Sequence, residues 1–264
     1  MSKHTAGRDE SDEASASGPR PQAVGAPLLV LIHSPLVGPL TWQACAAVLR
    51  SYGRPALVPT LAGVTDAEPP WIPKLAGRVA EMLRGAGAQG GVVFIVHSAA
   101  GSLVPAVTRA VDAPPRAALF VDAVLPRPGR TWFETAPPAL GDRLRELGAG
   151  GWLPPWDQWF QRDAIAAHLP EEDLRGRFVA ELPRLPLAYF EERAPEAEGW
   201  DSIPCGYVQL SDAYEEAARE AATRGWPTVR EHLDHLAMIT RPEEVASILD
   251  RILEGIEIPR LLSG

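Results

Sequence analysis

Residues 91–101 read Gly-Val-Val-Phe-Ile-Val-His-Ser-Ala-Ala-Gly, an apolar run that ends abruptly in small and polar residues. The run is rich in valine and isoleucine, which is typical of a strand buried on both faces of a sheet. Ser98 is therefore predicted at a sharp turn, where backbone N–H groups and a helix dipole can stabilise negative charge. The helix after the turn is indicated by apolar residues at helical spacing, namely Leu103, Val104, Ala106 and Val107.

The residues around Ser98 depart from the Gly-x-Ser-x-Gly pattern of a nucleophile elbow. In that pattern, small residues two positions before and after the serine accommodate its strained backbone. Here those positions hold Val96 and Ala100, and a glycine follows only at Gly101. Val96 is expected to crowd the turn. Taken alone, the stretch fits an ordinary strand–turn–helix junction equally well.

Strands and helices alternate along most of the chain, which favours an α/β fold with a doubly wound, mainly parallel sheet. The alternation breaks between 127 and 203, where helical stretches are separated by proline and glycine. We therefore predict a core of residues 26–126 and 204–264 with a helical cap, 127–203, over the carboxyl edge of the sheet. The predicted strands cover 27–32, 56–58, 91–96, 117–121, 206–210 and 228–232, and the predicted helices 42–52, 71–85, 214–223 and 242–253.

The predicted cap is rich in aromatic residues and holds five of the eight tryptophans of the chain. Most of these rings are expected to form the cap's own small core. The stretch 151–160, however, is denser in aromatic residues than a small core requires. Some rings are therefore predicted to line an apolar substrate pocket above Ser98. The candidates are Trp132, Trp152, Trp156 and Trp159, joined by Leu236.

Composition narrows the class of protein. The 264 residues carry a formal net charge of −9, which argues against nucleic acid or an anionic membrane as the main partner. No run of eighteen apolar residues is present to span a membrane. Cys45 and Cys205 lack a CxxC motif and are expected to be buried free thiols in a reducing compartment. No metal site and no cofactor are indicated.

Residues 1–25 are rich in serine, alanine, glycine and acidic residues and lack the apolar segment of a signal peptide. They are predicted to form a disordered leader, and a cytoplasmic location follows. The expected partner is an apolar small-molecule substrate. The oligomeric state is left open between monomer and homodimer.

A serine nucleophile needs a base, and the base needs an orienting acid. Asp212 and His235 each follow a later predicted strand, so both are expected at the same sheet edge as Ser98. Asp122, at the end of an earlier strand, is the alternative acid. Asp212 is preferred because an aspartate at the earlier position more often hydrogen-bonds the local turn. His97 is expected to point to the opposite side of its strand and to be structural.

Two segments resemble known motifs. His33-Ser-Pro-Leu-Val-Gly-Pro-Leu-Thr-Trp42 resembles the His-Gly-x-x-x-Gly-x-x-x-Trp loop of the α/β-hydrolase fold superfamily. Asp234-His-Leu-Ala-Met238 resembles the end of its small methylesterase and hydroxynitrile lyase branch. The resemblance covers about residue 27 to the end. It implies that Ser98 is the nucleophile, Asp212 the acid and His235 the base. It also implies that Ala99 N–H forms half of the oxyanion hole.

The chain departs from this family pattern at two positions. The second oxyanion donor is normally the N–H two residues after the loop histidine, but Pro35 has none. Either the Leu36 N–H or the Ser34 hydroxyl must replace it, and His33 is expected to hydrogen-bond loop backbone beneath the site. The related cyanohydrin lyases carry a lysine after the catalytic histidine, where this chain has Leu236.

Three hypotheses for function follow. The first is a cofactor-independent serine hydrolase that cleaves an ester, thioester or lactone of an apolar small molecule through an acyl-enzyme. The second is a non-hydrolytic lyase or cyclase of the same fold, acting in secondary metabolism, which the departure at Pro35 favours. The third is a ligand-binding protein that has the fold but no turnover.

Overall fold

A computed structural model describes residues 26–87, 91–160, 165–196 and 199–256. Six of its strands form a parallel sheet and the other two form a short antiparallel pair. In chain order the strands are β1 (Leu28–Ile32), β2 (Ala56–Leu57), β3 (Val92–Ser98), β4 (Ala117–Ala123), β5 (Trp152–Leu153), β6 (Leu185–Pro186), β7 (Cys205–Gln209) and β8 (Thr228–Arg230). The sheet order is β2-β1-β3-β4-β7-β8, and β5 pairs with β6.

Helices cover both faces of the sheet, because the central strands carry apolar side chains on both of their faces. The helices are α1 (Leu40–Ser51), α2 (Trp71–Ala86), α3 (Val104–Ala110), α4 (Pro138–Leu147), α5 (Glu172–Val179), α6 (Glu215–Thr223), α7 (Ala237–Thr240) and α8 (Pro242–Gly255). On one face Val30 and Phe94 pack in a cluster with residues of α2 and α3. On the other face Leu29 and Ile95 pack with residues of α1 and α8.

The doubly wound, mainly parallel α/β sheet is the predicted fold class, and this prediction is confirmed. The predicted core strands and helices agree with the structure to within two residues at most boundaries. The turn after Ser98 differs in one respect, because a 3-10 turn over Ala99–Leu103 precedes α3. The disordered leader predicted for 1–25 lies outside the described residues.

The segment between β4 and β7 is less helical than expected. Among its described residues the α-helical part is limited to α4 and α5, and 3-10 turns and the β5–β6 pair account for much of the rest. Aromatic rings fill its interior. Phe190 contacts Trp132, Trp159 and Tyr189 at centroid separations of 5.1, 5.8 and 5.2 Å. These rings belong to the same apolar cluster as Val30 and Phe94 of the sheet, so they do not form the separate core of the cap that was predicted for most of them.

Both cysteines are buried free thiols, as predicted. Burial raises the pKa of the Cys45 and Cys205 thiols to about 12, so both remain protonated at neutral pH. Within the part of the chain that the structure describes, the helices are all too short or too polar to cross a bilayer.

Candidate active site

Ser98 ends β3 in the strained conformation of a nucleophile elbow. Its backbone angles are φ 56° and ψ −129°, a positive-φ region that L-residues rarely occupy outside functional sites. The serine is buried, with 8% of its surface exposed. The backbone of the turn passes close to Val124 at Gly101. A Cβ at this position would lie only 1.9 Å from the Val124 carbonyl oxygen. The glycine three residues after the serine therefore makes this turn possible.

Val96 does not crowd the turn, contrary to the sequence-based expectation. It lies within β3, pairs in register with Phe120 and is fully buried in the core cluster on one face of the sheet. Because its side chain points into the core, a β-branched residue is well placed there. Ala99 occupies the first position of the following 3-10 turn. A helical N–H at that position has no intrahelical acceptor, so it is available to an oxyanion.

Asp122 is brought beside His235 by an irregularity in β4. In the β3–β4 ladder His97 pairs with Val121 and Ser98 with Ala123, so Asp122 is an extra residue without a partner on β3. It has a positive φ of 42°. A bulge of this kind redirects a side chain at the end of a strand. The Asp122 carboxylate is completely buried, and its Oδ2 lies 3.0 Å from His235 Nδ1.

The same carboxylate is held by the turn that follows β7. Asp122 Oδ1 accepts hydrogen bonds from the N–H groups of Leu210 at 2.7 Å and Ser211 at 3.0 Å. Asp122 Oδ2 also accepts one from the Ser211 hydroxyl at 2.5 Å. These donors compensate for the burial of a charged group. They also fix the carboxylate so that it orients the imidazole.

The predicted pairing of Asp212 with His235 is wrong. Asp212 begins a 3-10 turn after β7, and 87% of its side chain is exposed. Its Oδ1 accepts a hydrogen bond from Arg230 Nη2 at 2.9 Å, away from the imidazole. The sequence placed Asp212 at the correct edge of the sheet but did not reveal the bulge that turns Asp122 toward the site.

His235 lies in the loop between β8 and α7, and two rings pack against its imidazole. Tyr214 is nearly parallel to it, with centroids 5.0 Å apart and planes at 9°. His97 lies at a centroid separation of 4.3 Å. His97 Nε2 donates a hydrogen bond to the backbone carbonyl of His235 at 2.9 Å. Burial lowers the pKa of His97 well below its usual value, so this ring is neutral at neutral pH.

His97 was expected to point to the opposite side of its strand and to be structural, and its ring contacts Trp42 and His235 and bonds the His235 backbone. Tyr214 was not among the predicted site residues. Its position two residues after Asp212, just beyond the carboxyl end of β7, is the one feature of the sequence that points to the site.

The hydroxyl of Ser98 is hydrogen-bonded to Tyr214. Ser98 Oγ lies 3.1 Å from Tyr214 Oη. Among the described residues, no hydrogen bond joins Ser98 to His235, although both side chains line the same cleft. Burial raises the pKa of Tyr214 to about 12, against the lowering effect of its bond to Ser98. The phenol therefore carries its proton at neutral pH.

The loop after β1 offers one hydroxyl donor in place of the missing N–H at Pro35. Leu36 N–H donates to Ser34 Oγ at 3.2 Å. Because this N–H is already bonded, the proton of the Ser34 hydroxyl is the donor left for a ligand. His33 supports the loop from below, as predicted. Its Nδ1–H donates to the Ser34 carbonyl at 2.8 Å, and its Nε2 accepts from Leu61 N–H at 3.3 Å.

A narrow cleft with a volume of about 10 Å³ opens at Ser98 and His235, between the loop after β1 and Trp156. Two predicted pocket residues, Trp156 and Leu236, line it, and Leu36 and Val37 add apolar surface. The predicted pocket positions of the other three tryptophans are wrong. Trp132 and Trp159 pack in the aromatic core around Phe190, and Trp152 is 40% exposed. Among the described residues, no group of three or more metal-binding side chains is clustered.

The sequence matches the model of the alpha/beta hydrolase family over residues 29–248. No curated protein matches the chain by sequence.

Three solved structures share the fold. The first is an extracellular α/β-hydrolase from a Paenibacillus species, which shares structural and functional homology with tobacco salicylic acid binding protein 2. It is 17% identical, with a TM-score of 0.68, and the match covers 85% of this chain and 98% of the hydrolase. A pyrethroid hydrolase from Sphingobium faniae is 18% identical and has a TM-score of 0.65, covering 87% and 98%. Tomato methylketone synthase I, complexed with 2-tridecanone, is 15% identical and has a TM-score of 0.63, covering 88% and 99%. The strained serine at the end of β3, the parallel sheet and the match over 29–248 agree, and the chain belongs to the alpha/beta hydrolase family.

Proposed function

We propose that this protein is a cofactor-independent serine hydrolase that cleaves an ester, thioester or lactone of an apolar small molecule. The observation that carries the proposal is the alignment of three groups at one sheet edge. Ser98 adopts the strained elbow conformation, His235 lines the same cleft, and Asp122 holds the imidazole at 3.0 Å. A hydroxyl, a base and an orienting acid are the parts that acyl transfer needs.

In the proposed reaction, Ser98 Oγ attacks the carbonyl carbon and His235 Nε2 takes its proton. Asp122 keeps the Nδ1 proton in place and stabilises the imidazolium. Ala99 N–H and the Ser34 hydroxyl donate to the oxyanion. His235 then protonates the leaving oxygen, and water releases the acyl group in a second addition with the same donors. For the attack, the Ser98 hydroxyl rotates from Tyr214 toward His235.

The lining of the cleft supports an apolar substrate. Leu36, Val37, Trp156 and Leu236 face it, and its polar groups are His97 and the three proposed for the chemistry, Ser34, Ser98 and His235. The two unpaired thiols suit a reducing compartment, and we place the activity in the cytoplasm.

A fluorophosphonate probe tests the assignment of Ser98. Wild-type protein is expected to be labelled at neutral pH, and Ser98→Ala is expected to lose labelling together with hydrolysis of p-nitrophenyl esters. Ser102→Ala is the matched control, because Ser102 lies in the same turn but its hydroxyl is bonded to the Ala99 carbonyl. Labelling that persists in Ser98→Ala would contradict the proposal.

A second candidate is a lyase or cyclase that uses the same cleft. It is favoured by the lack of an N–H at Pro35 and by the engagement of Ser98 Oγ with Tyr214. In that case His235 transfers the proton and the serine does not become acylated. Turnover by Ser98→Ala of a substrate that wild-type protein converts without hydrolysis would support this candidate.

A further inference from the structure

Tyr214 makes two contacts with the groups proposed to react. Its hydroxyl lies 3.1 Å from Ser98 Oγ, and its ring stacks on the His235 imidazole with planes at 9°. The stacking fixes the direction in which the phenol extends. A tyrosine that only filled space would not need its hydroxyl at the serine. The hydroxyl is therefore positioned beside the atom that forms and breaks the acyl bond.

The sheet order separates Tyr214 from Ser34, one of the two proposed oxyanion donors. Ser98 ends β3, whose neighbours are β1 on one side and β4 on the other. Ser34 follows β1, whereas Tyr214 follows β7, beyond β4. The two hydroxyls thus approach Ser98 from opposite sides along the sheet edge. Tyr214 lies on the side of His235, which is the side from which a leaving group is protonated.

We propose that Tyr214 is a catalytic residue whose hydroxyl donates a hydrogen bond to the leaving-group oxygen of the tetrahedral intermediate. This inference rests on the proposed serine hydrolase function and deepens it. It adds a donor to a site that lacks one N–H at Pro35.

The step balances without a further reactant. When the intermediate collapses, the bond between the carbonyl carbon and the leaving oxygen breaks, and its electron pair goes to that oxygen. The proton comes from the His235 imidazolium, which returns to neutral imidazole. Tyr214 keeps its own proton throughout and stabilises the developing charge by hydrogen bonding. Its raised pKa, about 12, agrees with a group that donates a hydrogen bond without ionising.

Esters that differ only in their leaving group test this role, since kcat/KM reports the first irreversible step, acylation. Alkyl alcohols leave poorly and need stabilisation, whereas p-nitrophenolate leaves readily. Tyr214→Phe keeps the stacked ring and removes the hydroxyl. We expect kcat/KM to fall about 10- to 100-fold for an ethyl ester and less than about 3-fold for the p-nitrophenyl ester of the same acid.

Tyr189→Phe is the matched control, because Tyr189 is a buried tyrosine packed on Phe190 in the aromatic core and does not line the cleft. It is expected to leave both esters unaffected. Equal losses of Tyr214→Phe on the two esters would overturn the leaving-group role. Unchanged or increased activity would also overturn it, and an increase would identify the hydroxyl as an obstacle to attack.

Labelling by fluorophosphonate separates this inference from the function on which it rests. If wild-type and Tyr214→Phe proteins are both labelled at Ser98 and the two esters respond equally, only the role of Tyr214 fails. If wild-type protein is not labelled at Ser98, or hydrolyses neither kind of ester, both proposals fail.

Discussion

Asp122 Oδ2 lies 3.0 Å from His235 Nδ1, although the two residues are 113 positions apart in the chain. The same carboxylate accepts two backbone N–H groups and a hydroxyl from the turn after β7. One buried side chain thus ties together the ends of β4 and β7 and the loop after β8. Because the carboxylate is buried and held by these donors, it fixes the orientation of the imidazole, as the proposed proton transfer requires.

The first prediction concerns this acid. Asp122→Asn keeps an oxygen for the N–H groups of Leu210 and Ser211 but presents an amide to His235, which favours the wrong imidazole tautomer. We expect kcat/KM for an ester to fall about 10³- to 10⁴-fold while the fold is retained. Steady-state kinetics, with thermal unfolding as a check on folding, measures the effect.

Asp212→Asn is the matched control for this substitution. Asp212 is exposed and bonded to Arg230, so its replacement is expected to change kcat/KM by less than about 3-fold, as is usual for an exposed ion pair. The opposite ranking of the two variants would show that the loop after β7 rearranges to bring Asp212 to the imidazole.

The sheet and the positions of Ser98 and His235 at one edge of it could be predicted because each depends on local pattern. Apolar runs define the strands, and His235 follows the last of them. The choice between Asp212 and the alternative Asp122 as the partner of His235 could not be made from the sequence, because it depends on one unpaired residue in the β3–β4 ladder. Register shifts of this kind arise from packing between strands and leave no periodicity in the sequence. For the turn after Ser98, Gly101 was a partial indication in the sequence, since only a residue without a side chain fits where the backbone passes close to Val124.

The pocket residues were harder to predict for a different reason. Tryptophans separated by a few residues in one short stretch have different environments here. Trp156 faces the cleft, Trp159 is buried with Phe190, and Trp152 is 40% exposed. Because this stretch is not a regular helix, the number of residues between two tryptophans does not predict whether their side chains point the same way. The density of aromatic residues correctly indicated a core but did not show which ring lies above the serine.

The second prediction concerns the oxyanion loop. Ser34→Ala removes the hydroxyl that we propose as the second oxyanion donor. One such donor typically contributes about 10²-fold or more, but Leu36 N–H is released from Ser34 Oγ in this variant and can compensate. We therefore expect a loss of about 10-fold or more in kcat, with little change in KM. Ser34→Thr keeps the hydroxyl and is expected to lose less. Full activity of Ser34→Ala would assign the role to the Leu36 N–H alone.

The third prediction concerns substrate binding. Trp156→Ala removes the indole that lines the cleft, so binding loses the contribution of one buried aromatic ring, about 1.5–3 kcal/mol. KM for esters with longer acyl chains is expected to rise about 10- to 100-fold while kcat changes less. Trp152→Ala is the control from the same stretch, since Trp152 is 40% exposed, and its KM is expected to stay within about 2-fold. Equal effects of the two substitutions would argue against Trp156 as a wall of the binding site.

The fourth prediction concerns stability in acid. Burial lowers the pKa of His33 to about 4, from an ordinary value of 6.5, and lowers that of His97 as well. Between pH 6.5 and 4 the unfolded chain therefore binds more protons than the native protein, and stability falls as the pH falls. For His33 alone, the free energy of unfolding is expected to decrease by about 2 kcal/mol between pH 8 and pH 5. Denaturant unfolding at the two pH values measures the change.

His33→Gln separates this titration from the structural role of the side chain. Its amide can donate to the Ser34 carbonyl and accept from Leu61 N–H, as the imidazole does, but it does not titrate. The loss of stability between pH 8 and pH 5 is therefore expected to shrink in this variant. His232→Gln replaces an exposed histidine, which meets solvent in both folded and unfolded states, and should leave the loss unchanged. An undiminished pH dependence in His33→Gln would mean that His33 is already protonated in the native protein at pH 5.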